Sequence, residues 1–177
     1  KSFKELMGKK YILFVGDRSY YKNFYIAVET AKKIKNITLV IVGGNKLSTE
    51  EKLKLRKLDY LHYLGVPSKK LNILYNNAFC LLYPSSNEGF GIPILEAMSA
   101  GCPVVSVNIS SVPEIAGDAC LLVNKIDVGS FTKAIIKLEN IDFRTNLIIK
   151  GLEQSKKFSW DKCFDETYNF YQEVFNR

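Results

Sequence analysis

One histidine, His62, stands in 177 residues, beside four cysteines, two methionines and one tryptophan. The cysteines, Cys80, Cys102, Cys120 and Cys163, form no Cys-x-x-Cys pair. With one imidazole and no thiols at ligand spacing, structural zinc is disfavoured. Three of the thiols lie in apolar, strand-like runs, where free cysteine behaves as a small hydrophobe. That usage fits a reducing cytoplasm. No apolar run reaches the length of a membrane span, and the start shows no signal-peptide pattern. Internal repeats, low-complexity tracts and a second domain boundary are also missing.

What is present suits a single soluble domain with a sizeable core. The chain begins at Lys1 rather than Met, as expected of a piece of a longer protein. Its net charge of +7 favours an anionic partner, yet the lysines are dispersed. Runs such as Lys32-Lys33-Ile34-Lys35 read as solvated helix faces. Without an RNA-binding signature or a zinc finger, nucleic acid is not an expected partner. Peripheral contact with an anionic membrane surface is the more natural secondary use.

Apolar runs alternate with amphipathic segments. Strands are predicted at 11–16, 37–44, 60–64, 79–83, 103–107 and 119–123. Helices are predicted at 23–35, 49–57, 68–76 and 94–100, and from Asp127 to the end. Unbroken apolarity in Ile37 to Val42 marks a strand covered on both faces. The expected fold is therefore α/β: a Rossmann-like, doubly wound parallel sheet of about six strands, helices on both faces, and a helical C-terminus. Ligands of such sheets bind beyond the carboxyl ends of the strands. That directs attention to the loops after Gly16, Gly43, Leu64, Tyr83 and Val107.

The richest loop is Asn87-Glu88-Gly89-Phe90-Gly91-Ile92-Pro93-Ile94-Leu95-Glu96. Two carboxylates flank a Gly-Phe-Gly turn and a proline suited to the first helical position. A strand, a glycine loop and a helix N-terminus can receive phosphate, and carboxylates accept hydrogen bonds from neutral hydroxyls. Either glutamate alone also fits a structural role, Glu96 in the first helical turn and Glu88 as a loop cap. On the same rim Gly16, Arg18 and Lys22 follow the first strand, a guanidinium fork and an ammonium matched to a diphosphate. As ordinary loop cations they would mean nothing. Gly65 and Val66 admit a flat base or simply make a turn. Ser110 and Ser111 are rim hydroxyls or N-caps.

The motifs Gly16-x-Arg18-x-x-x-Lys22-Asn23 and Glu88-Gly89-Phe90-Gly91-Ile92-Pro93-Ile94-Leu95-Glu96 together resemble retaining glycosyltransferases of family 4, which have the GT-B fold. So do Ala97 to Val105 and the Phe158-Ser159-Trp160 start of the last helix. The resemblance covers the family's C-terminal, donor-binding half, residues 1–177, and implies that an N-terminal acceptor domain is absent here. It implies that Arg18 and Lys22 hold the donor's diphosphate, that Gly16 also belongs to the donor site, and that Arg18, Lys22 and Glu88 act in catalysis. Glu88 would contact the transferred sugar, with Gly89 and the amides of Phe90, Gly91 and Ile92 nearby. Glu96 would take the ribose hydroxyls, and Val66 would flank the base. No metal or other cofactor is implied, in keeping with the lack of an Asp-x-Asp pair.

The implied donor is a nucleoside-diphosphate sugar. Tyr21-Lys22-Asn23 resembles transferases for mannose-type sugars, which favours GDP-mannose over UDP-sugars. The implied acceptor is a polysaccharide or glycolipid, and the implied place is the cytoplasm, at the inner membrane face where peripheral. The 177 residues alone would bind donor without transferring sugar. Trp160, Phe164, Tyr168, Tyr171 and Phe175 form a helical stripe. Packing on the chain's own core is the simpler expectation for it; the resemblance points instead to docking on the missing half. A non-catalytic nucleotide-binding regulatory module and a sugar-nucleotide epimerase-like domain remain as alternatives.

Overall fold

The computed structural model describes residues 3–176. Six strands, β1 (Tyr11–Val15), β2 (Thr38–Val42), β3 (Asp59–Tyr63), β4 (Cys80–Tyr83), β5 (Val104–Val107) and β6 (Leu121–Val123), form one sheet. Their order is β3-β2-β1-β4-β5-β6, and every pair is parallel. Among the described residues, eight α-helices accompany them: α1 (Phe24–Lys33), α2 (Thr49–Lys54), α3 (Ser68–Asn77), α4 (Ile92–Ser99), α5 (Val112–Ala116), α6 (Val128–Lys137), α7 (Ile141–Ser155) and α8 (Trp160–Phe175). The expected doubly wound α/β architecture is the observed one.

Every residue of β1, β2, β4 and β5 is buried, which explains why these strands read as continuous apolar runs. Successive side chains point to opposite faces. Leu13, Val40 and Leu81 pack with residues of α3, α4 and α5. Ile12, Phe14, Ile41 and Leu82 pack with residues of α1 and α6 on the other side. Ile41 is fully buried, so Ile41→Val is expected to cost about 1 kcal/mol for one lost methyl and its void. Chemical denaturation measures this, and a loss under about 0.3 kcal/mol would contradict such tight packing.

Cys80, Cys102 and Cys120 are buried, whereas Cys163 is exposed on α8. Burial pushes the Cys102 and Cys120 thiols up to about 12, so they stay protonated at neutral pH. Most element ends fall within a few residues of expectation. Two differ in ways that bear on function. Helix α4 starts at Ile92, with Gly91 as N-cap and Pro93 second rather than first; Glu96 therefore lies in the second turn, beyond the strongest pull of the dipole. The aromatic stripe also departs from the simpler expectation. Helix α8 buries none of its residues, and Trp160 and Phe175 are 79% and 84% exposed. The stripe does not pack on this chain's own core: every residue of α8 is exposed.

Candidate functional site

Strand order reverses between β1 and β4, the place where doubly wound sheets open a crevice beyond their carboxyl ends. The loops after these two strands carry the sequence's leading candidates. After β1, Tyr20–Lys22 form a single 3-10 turn that ends in Asn23 at φ 50°. Asparagine tolerates that left-handed conformation. The Asn23 amide donates to Pro84 O at 2.9 Å, and Ser86 N–H donates to Tyr21 O at 2.8 Å. The two loops are thus tied together across the crevice.

Within it, Lys22 Nζ donates to Glu88 Oε1 at 2.6 Å and to the Tyr83 hydroxyl at 3.2 Å. Both charged side chains are only 11% exposed. Tyr83 is 1% exposed. Burial and then the Glu88 carboxylate raise its phenol well above the usual range, so it stays neutral. A cation and a carboxylate held side by side at low exposure interact more strongly than in water.

Arg18 is also paired, with a partner that the sequence did not suggest. Its Nε donates to Glu51 Oε1 at 2.5 Å, and its two terminal nitrogens donate to Gly43 O at 3.1 Å and Asn45 O at 2.7 Å. Glu51 also accepts from Ser48 N–H at 2.7 Å in a capping box that starts α2. Burial works against the Glu51 anion, yet the Arg18 guanidinium and the Ser48 N–H hold its carboxyl below the ordinary range. Gly44 permits this approach: a Cβ there would run into the Arg18 guanidinium. Gly43 lies so close to Gly16 that a Cβ would stand 3.0 Å from Gly16 O. The double glycine after β2 was the one available sequence signal for this junction.

The Glu88 loop is braced from the loop after β5. Ser110 Oγ donates to Glu88 O at 2.8 Å, and Ser111 Oγ donates to Phe90 O at 2.9 Å. Ser111 is the N-cap of α5 without a side-chain capping bond, so its hydroxyl serves the loop instead. Gly91 turns the chain into α4 at φ 107°, a conformation that favours glycine. Phe90 and Ile92 are 44% and 47% exposed, and Phe90 meets the Phe158 ring edge-on at 6.0 Å. Among the described residues, no partner receives the N–H groups of Phe90, Gly91 and Ile92. Gly89 is exposed and open on its Cα side.

Glu96 stands apart from the ion pairs. Its Oε2 accepts from the Tyr75 hydroxyl at 2.9 Å, and Tyr75 is 1% exposed on α3. Val66, after β3, is half-buried and packs on the same core cluster as Tyr75. Side-chain bonds thus join Lys22 to Glu88, Arg18 to Glu51 and Glu96 to Tyr75. His62 shares a carbonyl with Arg18: its ring Nε2 lies 3.1 Å from Gly43 O. No cluster of three or more His, Cys, Asp or Glu among the described residues is placed to hold a metal ion. No described helix is long and apolar enough to cross a membrane.

The chain as a whole is similar to known proteins. An O-antigen chain mannosyltransferase B of Escherichia coli is 44% identical over 115 residues, 64% of this chain and 30% of its own length. The O-antigen chain mannosyltransferase RfbU of Salmonella typhimurium is 34% identical over 141 residues, 75% of this chain and 39% of its own length. The chain therefore spans about a third of these curated relatives. Among solved structures, sucrose-phosphate synthase from Thermosynechococcus elongatus superposes with a TM-score of 0.82 at 20% identity, covering 96% of this chain and 46% of that one. The catalytic domain of cholesterol-alpha-glucosyltransferase from Helicobacter pylori gives 0.75 at 21% identity, over 85% and 99%. These likenesses bear out the expected half of a GT-B fold. The model of the glycosyl transferases group 1 matches residues 1–154, and the chain belongs to that family.

Proposed function

We propose that this chain is the donor-binding part of a retaining glycosyltransferase that takes a sugar from a nucleoside diphosphate. The observation that carries the proposal is the Lys22–Glu88 pair at 2.6 Å, set at the strand-order reversal beside the unpartnered N–H groups of the α4 start. Lys22 and Arg18 supply positive charge for the diphosphate, and Glu88 supplies acceptor oxygens for the hydroxyls of the transferred sugar. Glu96 takes the ribose, and Val66 flanks the base.

In the transfer step the bond between the anomeric carbon and the phosphate oxygen breaks. The acceptor oxygen bonds to that carbon from the same face, and its proton passes to the departing phosphate oxygen. Negative charge grows on the diphosphate as it leaves, and preplaced cations and backbone dipoles stabilise it. The scheme calls on no bound metal. GDP-mannose is the favoured donor, supported by the likeness to mannosyltransferases of O-antigen chains. A polysaccharide or glycolipid would be the acceptor, and the dispersed positive charge suits work beside an anionic membrane.

Calorimetric titration with GDP, UDP and ADP tests the reading. GDP is expected to bind tightest, and Glu96→Ala to weaken it about tenfold through loss of charge-assisted hydrogen bonds. Binding of none of the three, or binding indifferent to Glu96→Ala, would remove the site assignment.

A further inference from the structure

Of the glutamates Glu51, Glu88 and Glu96, the first two are ion-paired, and among the described residues Glu96 has no ion-pair partner. The Glu96 carboxylate has one side-chain hydrogen bond among the described residues, from Tyr75. An ionised carboxylate has about four lone-pair sites and accepts only. Tyr75 fills one site on Oε2, which leaves Oε1 and part of Oε2 for neutral donors. Among the described residues, no lysine or arginine competes for them.

The last torsion of a glutamate is broad, so an untethered carboxylate samples many orientations. Tyr75 removes that freedom. Its ring belongs to the core cluster that contains Ile94, Ala97 and Met98 of α4, so the phenol is fixed relative to the helix bearing Glu96. Burial first, and then the neighbouring Glu96 charge, raise the phenol far above its ordinary range. It stays a hydrogen-bond donor at any working pH.

We propose that Tyr75 is a specificity-determining positioning residue: its hydroxyl orients the Glu96 carboxylate to accept both hydroxyls of a ribose, which makes the site selective for ribonucleoside over deoxyribonucleoside diphosphates. The inference rests on the ribose-binding reading of Glu96. Tyr75 acts through Glu96 and touches no reacting atom.

The test compares GDP with 2′-deoxy-GDP by calorimetry in the full-length protein, for wild type and Tyr75→Phe. Wild type is expected to prefer GDP by about tenfold, the value of one hydrogen bond to a charged group. Tyr75→Phe, which keeps the ring, is expected to cut that preference about fivefold and to change 2′-deoxy-GDP binding less than about twofold. A second variant, Glu96→Asp, keeps the charge but withdraws it from Tyr75, and is expected to lose the preference likewise. In Glu96→Ala the preference is already gone, so adding Tyr75→Phe changes nothing further.

Equal weakening of both nucleotides by Tyr75→Phe would make Tyr75 a merely structural residue and overturn the inference while leaving the donor site intact. A wild-type protein that binds GDP without preferring the ribose would remove the ribose reading of Glu96, and the inference with it.

Discussion

Glu88→Gln is expected to separate binding from transfer: sugar transfer by the full-length protein falls by about 10²–10³-fold, while affinity for the free nucleoside diphosphate rises. Lys22 is already engaged within the protein, with Glu88 Oε1 2.6 Å away and the Tyr83 hydroxyl at 3.2 Å. In the proposed site an incoming diphosphate would compete with that carboxylate for the ammonium. Glutamine is isosteric but uncharged, so it returns the full charge of Lys22 to the phosphates. The cost appears elsewhere. Hydrogen bonds from sugar hydroxyls to a carboxylate are stronger than those to an amide, and interactions at the reacting sugar count most in the transition state. Titration with GDP and a radiolabelled transfer assay measure the two effects. A variant that loses diphosphate affinity and activity in parallel would show that Glu88 holds the loop rather than the sugar.

Arg18→Ala should be the most destabilising substitution around the crevice, at about 2–3 kcal/mol in chemical denaturation at neutral pH. Arg18 is 7% exposed and Glu51 21% exposed. Removing the guanidinium strands the Glu51 carboxylate and takes donors from Gly43 O and Asn45 O. The junction between the loops after β1 and β2 loses its clasp. The range is set below that of a fully buried pair because water still reaches Glu51.

The pH dependence has a definite sign. The folded Glu51 carboxyl lies below its ordinary value of 4.5, so the pair contributes stability above that value. The contribution is lost as pH falls through the lower, folded value. The gap between wild type and Arg18→Ala should therefore narrow on acidification below about 4.5. A gap that stays constant from pH 7 to pH 3.5, or one below about 0.5 kcal/mol at pH 7, would count against the clasp.

Most of the scaffold is legible in the residue order. Apolar runs such as Leu39-Val40-Ile41-Val42 can be satisfied in few ways other than a strand covered on both faces, because each successive side chain needs an apolar neighbour. Helical runs between them enforce crossovers and hence a parallel sheet. Local chemistry also marked the rim: Gly91 at positive φ, the proline beside it and the Glu88 loop are short-range features. Glu96 in the second helical turn shows the limit of such reading, since a shift of two residues at a helix start changes what the dipole can do for a carboxylate.

The partners of the charges were not legible. Glu51 lies 33 positions from Arg18, Glu88 lies 66 from Lys22, and Tyr75 lies 21 from Glu96. Spacings of that length carry no helical or strand periodicity: the Ser48-x-x-Glu51 capping box sets Glu51 apart from Glu50 but does not point to Arg18, and nothing local distinguishes Tyr75 from the exposed Tyr20. Strand order decides the first two pairings, because it sets the loops after β1, β2 and β4 side by side; the packing of α3 on α4 decides the third. The aromatic stripe of α8 makes the same point from the other direction. Its periodicity predicts an apolar face, but only the tertiary structure decides that this face is left exposed. Types and periods of residues thus define the elements and the candidate groups; long-range packing defines which carboxylate neutralises which cation, and which one is left open to a neutral hydroxyl.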